Sequence, residues 1–62
     1  MKFKKGDRVE LTEERNYPEG DKLPKGSKGT VTEVYEYDES YDIDFDDSSE
    51  SHEILEKYLK RA

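Results

Sequence analysis

The hexapeptide YDIDFD, residues 41–46, is the part of the sequence that says most about the fold. Apolar and acidic residues alternate strictly along it, and the side chains of a β-strand alternate between its two faces. The alternation therefore predicts a strand with a core-facing side and a solvent-facing acidic side. The inward residues are Tyr41, Ile43 and Phe45, and the outward residues are Asp42, Asp44 and Asp46.

Similar alternation predicts two earlier strands, over residues 7–12 and 29–37. Val31 and Val34 are three positions apart, which breaks strict alternation within the second of these strands. A bulge near residues 32–33 would return both valines to the core and bend the strand, as a small barrel requires.

The last twelve residues allow two predictions. In the first, residues 51–54 form a short strand, residues 55–58 form one helical turn, and residues 60–62 form a last strand. In the second, a single helix covers residues 51–61. The second prediction depends on apolar residues at helical spacing, namely Ile54, Leu55, Tyr58 and Leu59.

Residues 13–27 are polar and contain two prolines and two glycines, which predicts a long first loop that is functional or mobile. Leu23 is predicted to attach this loop to the core. Short turns are predicted over residues 38–40 and 47–50. The elements together predict an all-β fold, a small five-stranded barrel with a helical turn before the last strand. The C-terminal helix would make the fold α+β instead.

The chain has 62 residues, which predicts a single domain over residues 1–62. It contains no cysteine, which excludes disulfides and thiolate metal sites. No apolar run approaches the roughly 18 residues that cross a bilayer. We therefore expect a cytoplasmic monomer without a cofactor and without membrane contact.

Three motifs resemble SH3-like barrels of the KOW and Tudor kind: KGDRV at 5–9, KGSKGTV at 25–31, and the strand over 41–45 followed by Leu59. The pattern is most similar to small uncharacterised bacterial or phage SH3-like proteins. The resemblance implies an SH3-like barrel over nearly the whole chain, but it specifies function weakly because this fold has many partners. KOW relatives bind RNA or ribosomal protein. An equivalent module here would use Lys2, Lys4, Lys5, Lys25, Lys28, Lys60 and Arg61.

Charge is unevenly distributed along the chain. Residues 29–56 include eleven acidic residues and no lysine or arginine, whereas the net charge of the whole chain is −6. Such a block can simply keep the protein soluble. Acidic groups beside tyrosines can also bind lysine or arginine through charge and cation–π contacts, which predicts a surface for a basic protein or peptide. The predicted partner-binding residues are Glu33, Tyr35, Glu36, Tyr37, Asp38, Asp42, Asp44 and Asp46.

The acidic strand also allows a second function. Carboxylates at alternate positions lie about 6.5–7 Å apart, close to the spacing of phosphates along a nucleic-acid strand. The chain could therefore be a phage-type inhibitor that mimics nucleic acid in the groove of a host protein. Direct nucleic-acid binding is not expected from so acidic a chain.

The residues do not predict catalysis or a metal site. His52 is the single histidine and is expected at the surface, beside Ser48, Ser49 and Ser51. A catalytic triad would also need an oxyanion hole and a buried orienting carboxylate. Residues 42–53 resemble a calcium loop, but Asp47 occupies the position where that loop needs glycine.

Overall fold

A computed structural model gives the fold of the chain and describes residues 1–18, 20, 22–48 and 50–62. The prediction of an all-β protein is confirmed, and no α-helix occurs in these ranges. The strands are β1 (Arg8–Leu11), β2 (Arg15–Asn16), β3 (Lys22–Leu23), β4 (Lys28–Tyr35), β5 (Ser40–Phe45), β6 (Ser51–Leu55) and β7 (Leu59–Arg61). A single 3₁₀ turn, Glu56–Tyr58, separates β6 from β7.

Five strands form one antiparallel sheet in the order β6-β5-β4-β1-β7. β2 and β3 form a separate two-stranded hairpin within the predicted first loop. In the part of the chain that the structure describes, β6 and β7 are the two edges of the sheet and do not pair with each other. The sheet is therefore five-stranded as predicted, but it is not closed by strand pairing.

The predicted bulge in β4 is confirmed, because the register against β5 shifts between Val31 and Glu33. Val31 is buried, and Val34 packs against the core from a half-buried position. Gly29 lies at the start of this strand, where a Cβ atom would approach Phe45 Cα to 2.9 Å. No larger residue fits there without moving the backbone of β5.

The core lies on the inner side of the sheet. It contains the three predicted inward residues of β5, and it also contains Leu23, which attaches the first loop as predicted. The buried apolar residues are Phe3, Val9, Leu11, Leu23, Val31, Tyr41, Ile43, Phe45, Ile54 and Leu59. These ten side chains of the described residues are a small core, so each one contributes a large share of the apolar burial.

The alternative helix over residues 51–61 is wrong. Residues 51–55 pair with β5 and residues 59–61 pair with β1, with only the 3₁₀ turn between them. Pairing buries Ile54 and Leu59 on the core side while Leu55 stays exposed, which a helix with all of its apolar residues on one stripe would not do. The predicted loop over residues 13–27 also needs correction, since it contains the β2–β3 hairpin. Glu19 and Asp21 in this loop, and Ser49 in the predicted second turn, lie outside the described residues.

No helix in the described ranges is long and apolar enough to cross a membrane.

Candidate functional site

The outer side of β4, β5 and β6 carries three carboxylates side by side. Asp42 pairs with Glu33 on one neighbouring strand and with Glu53 on the other. Residues that pair directly across antiparallel strands share a face, with Cβ atoms about 5 Å apart. Glu33, Asp42 and Glu53 thus form one continuous group, which we call the carboxylate row.

Tyr35 lies beside the carboxylate row and is bonded to its central member. The Tyr35 hydroxyl donates a hydrogen bond to Asp42 Oδ2 at 2.7 Å. This bond is the main reason that the pKa of Tyr35 is raised above its ordinary value, and the nearby charges of Glu33 and Glu53 raise the pKa further. The tyrosine and all three carboxylates therefore share one electrostatic environment.

A second cross-strand group, consisting of Tyr35, Ser40 and Leu55, lies next to the carboxylate row. We call it the apolar row. Ser40 is fully buried in its centre and donates a hydrogen bond to Glu53 Oε2 at 2.6 Å. Tyr35 and Leu55 remain 39% and 40% exposed, so the row presents apolar surface next to acid.

The carboxylate row is only partly neutralised. Lys5 Nζ lies 3.6 Å from Glu33, in a contact that is exposed at both ends and therefore weak. Asp42, Asp44 and Glu53 have no ion pair with any of the described cations. Like charges opposite each other on a sheet are destabilising, so a cation bound at this row would relieve repulsion.

Asp46 is separated from the other predicted site residues. It follows the end of β5 and forms a two-point ion pair with Arg8, with distances of 2.9 and 2.6 Å. This contact lowers the pKa of Asp46. Thr30 also accepts a hydrogen bond from Arg8. The charge of Asp46 is therefore already compensated within the chain.

Glu36, Tyr37 and Asp38 lie in the turn between β4 and β5, not on the face of the sheet. All three are exposed, and Tyr37 is completely so. The turn places them at the tip of the hairpin, beyond the apolar row. Asp44 is on the outer face in the next pair, opposite Thr30 and Ser51.

The tyrosines do not form one groove. Tyr17 stacks on His52 with ring centroids 4.3 Å apart, whereas Tyr58 lies beneath the guanidinium of Arg15 at 4.5 Å. Burial raises the pKa of Tyr17, and nearby Arg15 opposes this change, although the Tyr17 hydroxyl makes no hydrogen bond of standard geometry within the described structure. No ring contact within the described structure joins Tyr35 or Tyr37 to Tyr17 or Tyr58.

His52, which was expected at the surface, is half-buried: its ring stacks on Tyr17 and lies near Phe45. Its Nε2 lies 3.4 Å from the Ser48 hydroxyl. The Ser48 hydroxyl thus lies near the His52 imidazole, as their closeness in the sequence suggested. Ser48 is in the connection between β5 and β6.

Tyr41 forms a second pair of tyrosine and carboxylate on the inner side. Its hydroxyl donates to Glu56 and accepts the backbone N–H of Phe3 at 3.0 Å. Glu56 also accepts the backbone N–H of Lys2 at 2.9 Å. Burial, followed by the bond to Glu56, raises the pKa of Tyr41, while the bond from Tyr41 lowers the pKa of Glu56. This cluster attaches the N-terminal segment to the sheet.

Two further observations on the surface do not indicate a particular ligand. A shallow pocket of about 400 Å³ opens beside Leu55, and its lining mixes two lysines with three carboxylates, which favours neither charge. No group of three or more histidine, aspartate or glutamate side chains within the described ranges is arranged to hold a metal ion.

The structure adds Glu53 and Leu55 to the candidate site, and sequence reasoning missed both. The sequence predicts that Ile54 faces inward, and the alternation of a strand then places its neighbours Glu53 and Leu55 on the outer face. This pattern could have identified both residues. Their position beside Asp42 and Ser40, however, depends on pairing between strands. Comparison with known proteins finds no match, whether among family models, curated proteins or solved structures.

Proposed function

We propose that the protein is a non-catalytic binding module that docks on a basic protein surface through the outer face of β4, β5 and β6. The observation that carries this proposal is the carboxylate row, in which Glu33, Asp42 and Glu53 lie together. Among the described cations, only Lys5 forms an ion pair with this row, and that contact, to Glu33, is weak. We also propose that the fold is an SH3-like barrel, in which the long first loop and the 3₁₀ turn flank a five-stranded sheet.

The chemistry of the face suits a lysine or arginine side chain of a partner. A cation above Asp42 would contact carboxylates from three strands, and its alkyl stem would lie on Tyr35 and Leu55. Cationic side chains bury their stems on apolar surface while the charged group remains near water or a counter-charge. Tyr35 adds a cation–π contact, and its bond to Asp42 fixes the orientation of the carboxylate.

The two alternative functions receive less support from the geometry. A nucleic-acid mimic requires an even line of acidic groups, but Asp46 is turned aside to Arg8. For an RNA-binding module, three of the seven predicted cations have carboxylate neighbours: Lys5 and Lys60 lie 3.6 Å from Glu33 and Glu10, and Arg61 lies 3.7 Å from Asp7. These exposed contacts weaken that alternative without removing it.

The experiment compares two variants with the same loss of charge. The row variant carries Glu33→Gln, Asp42→Asn and Glu53→Gln, and the control variant carries Glu13→Gln, Asp47→Asn and Glu50→Gln. All three control positions are exposed and lie outside β4, β5 and β6. Each protein is used to capture partners from a cell lysate, and captured proteins are quantified by mass spectrometry at low and high salt.

We expect the row variant to lose specific partners that the control variant retains. Three exposed charge pairs at about 0.5 kcal/mol each amount to about 1.5 kcal/mol, or slightly more than tenfold in affinity. Captured partners should also decrease as salt rises. Equal losses from both variants would mean that overall charge, and not this face, determines binding.

A further inference from the structure

β6 is one of the two edge strands of the sheet. It has five residues, no proline and no lysine, and its register against β5 is unbroken. The opposite edge, β7, is only three residues long and carries Lys60 and Arg61. Short edges and edge lysines are the devices by which proteins prevent another strand from pairing. The two edges of this sheet are therefore unequal.

The hydrogen-bond ladder shows which backbone groups of β6 point outward. Glu56 N–H donates to Glu39 O at 2.8 Å, in register with the β5–β6 pairs. Hydrogen-bonded and non-hydrogen-bonded pairs alternate in an antiparallel ladder. The hydrogen-bonded pairs of β5 and β6 are accordingly Tyr41–Ile54 and Ile43–His52, and the intervening pairs are Ser40–Leu55, Asp42–Glu53 and Asp44–Ser51.

The other side of β5 agrees with this assignment. Asp46 N–H donates to Lys28 O at 3.0 Å, and alternation from that pair directs the backbone groups of Asp44 towards β4. The groups of Ile43 then face β6. It follows that the N–H and C=O groups of Glu53 and the N–H of Leu55 point away from β5. The C=O of Leu55, the residue before the 3₁₀ turn, accepts the first hydrogen bond of that turn.

Glu53 and Leu55 combine two properties. Their backbone N–H groups face the open edge, while their side chains belong to the carboxylate row and the apolar row. A strand added to this edge would extend both rows by one residue each. The residue opposite Glu53 would lie next to that carboxylate, with Asp42 one strand and Glu33 two strands further away at about 4.8 Å per strand. The residue opposite Leu55 would lie beside apolar surface.

We propose that the partner binds by adding an extended segment to the β6 edge, with a lysine or arginine opposite Glu53 and an apolar residue opposite Leu55. This inference rests on the proposed function and specifies how the basic partner is held. Main-chain hydrogen bonds supply affinity in such strand addition, and alternate side chains supply specificity.

Charge complementarity favours a basic partner over a second copy of this chain. Antiparallel pairing of two β6 strands about their centre would place Glu53 opposite Glu53 of the other copy. Two carboxylates directly opposite each other on paired strands repel each other, and here they would also lie next to the carboxylate row. An arginine at the same position has the opposite effect.

The test uses a synthetic heptapeptide whose second, fourth and sixth residues are leucine, arginine and lysine and whose other residues are threonine. In antiparallel addition its leucine lies opposite Leu55 and its arginine opposite Glu53. One control peptide is N-methylated at leucine and arginine, which blocks the amides that face β6. A matched control is N-methylated at the two central threonines, whose amides face away.

We expect the parent peptide to protect the amides of Glu53 and Leu55 from hydrogen exchange and to leave those of β7 unchanged. Methylation at leucine and arginine should weaken binding about tenfold or more, and methylation at the threonines should change it less than about twofold. The protein variant Leu55→Pro should weaken binding similarly, because proline has no N–H to donate. Leu55 has φ of −66°, which proline adopts without strain. Leu55→Ala keeps the N–H, so its effect on binding measures the contribution of the Leu55 side chain separately from that of the N–H.

Equal binding of both methylated peptides would overturn strand addition while leaving side-chain docking on the outer face intact. Failure of the parent peptide to bind would also overturn it, and the lysate comparison would still test the carboxylate row separately. Self-association that protects Glu53 and Leu55 without peptide would show that a second copy occupies the edge, which again contradicts the proposal.

Discussion

Two pairs of tyrosine and carboxylate in the part of the chain that the structure describes differ in burial and in backbone partners. Tyr41 is fully buried, and its partner Glu56 also accepts a backbone N–H from the N-terminal segment. Tyr35 is well exposed, and its partner Asp42 lies between two further carboxylates. The same chemistry thus fastens the chain on one side of the sheet and presents unneutralised charge on the other.

The difference follows from the number of groups that depend on each pair. Removing the Tyr41 hydroxyl leaves a buried backbone N–H of Phe3 and the Glu56 carboxylate without that partner. Removing the Tyr35 hydroxyl exposes Asp42 to water, which can replace the bond. Buried groups that lose a partner are costly, and solvated ones are not.

Among substitutions in these two pairs, Tyr41→Phe should therefore have the largest effect on stability. We expect the free energy of unfolding to fall by about 2 kcal/mol, since a buried donor is left unsatisfied. Urea denaturation followed by circular dichroism measures this change. Binding of the heptapeptide should be unchanged in the folded variant, and a weaker affinity would mean that the two pairs are coupled.

Glu56→Gln should have an intermediate effect that depends on pH. The folded-state pKa of Glu56 is lowered from 4.5, so its charge stabilises the folded state above that pH, and this contribution is lost as pH falls through and below 4.5. We expect a loss of about 1 kcal/mol at neutral pH. The difference in the free energy of unfolding between this variant and the natural chain should become smaller towards about pH 3.

Urea titrations of both proteins at neutral pH and at about pH 3 measure that difference. Asp46 also has a lowered pKa, because of Arg8, and its contribution should change equally in the two proteins. A difference that is constant or increases in acid would contradict the assigned role of the Glu56 charge.

Tyr35→Phe should have the smallest effect on stability, because its hydroxyl is at the surface. Its effect should appear in binding, as a loss of about threefold in affinity for the heptapeptide. Fluorescence anisotropy measures this change. A large loss of stability with unchanged affinity would contradict the assignment of Tyr35 to binding and of Tyr41 to stability.

Much of the fold follows from local pattern. Alternation over residues 41–46 predicts β5 and its inward face, and the broken spacing of Val31 and Val34 predicts the bulge. The C-terminal segment was ambiguous, because Ile54 and Leu59 satisfy both a helix and two short strands. Pairing with β5 and β1 decided between them, and such pairing is not local.

The candidate site was predicted less completely. Asp42, Tyr35 and Glu33 were identified from the acidic block, and the structure brings them together. Glu53 was missed because it joins them only through the register of β6. Asp46 was included with the outward aspartates, yet an arginine distant in sequence compensates its charge.

The inward side of β5 and the concentration of acid between residues 29 and 56 follow from the order of residues along the chain, because alternation and composition are properties of neighbouring residues. Which acids lie together and which edge stays open became clear only from the folded arrangement of the strands. Those features depend on strand order and register, which are set by packing between segments far apart in the chain.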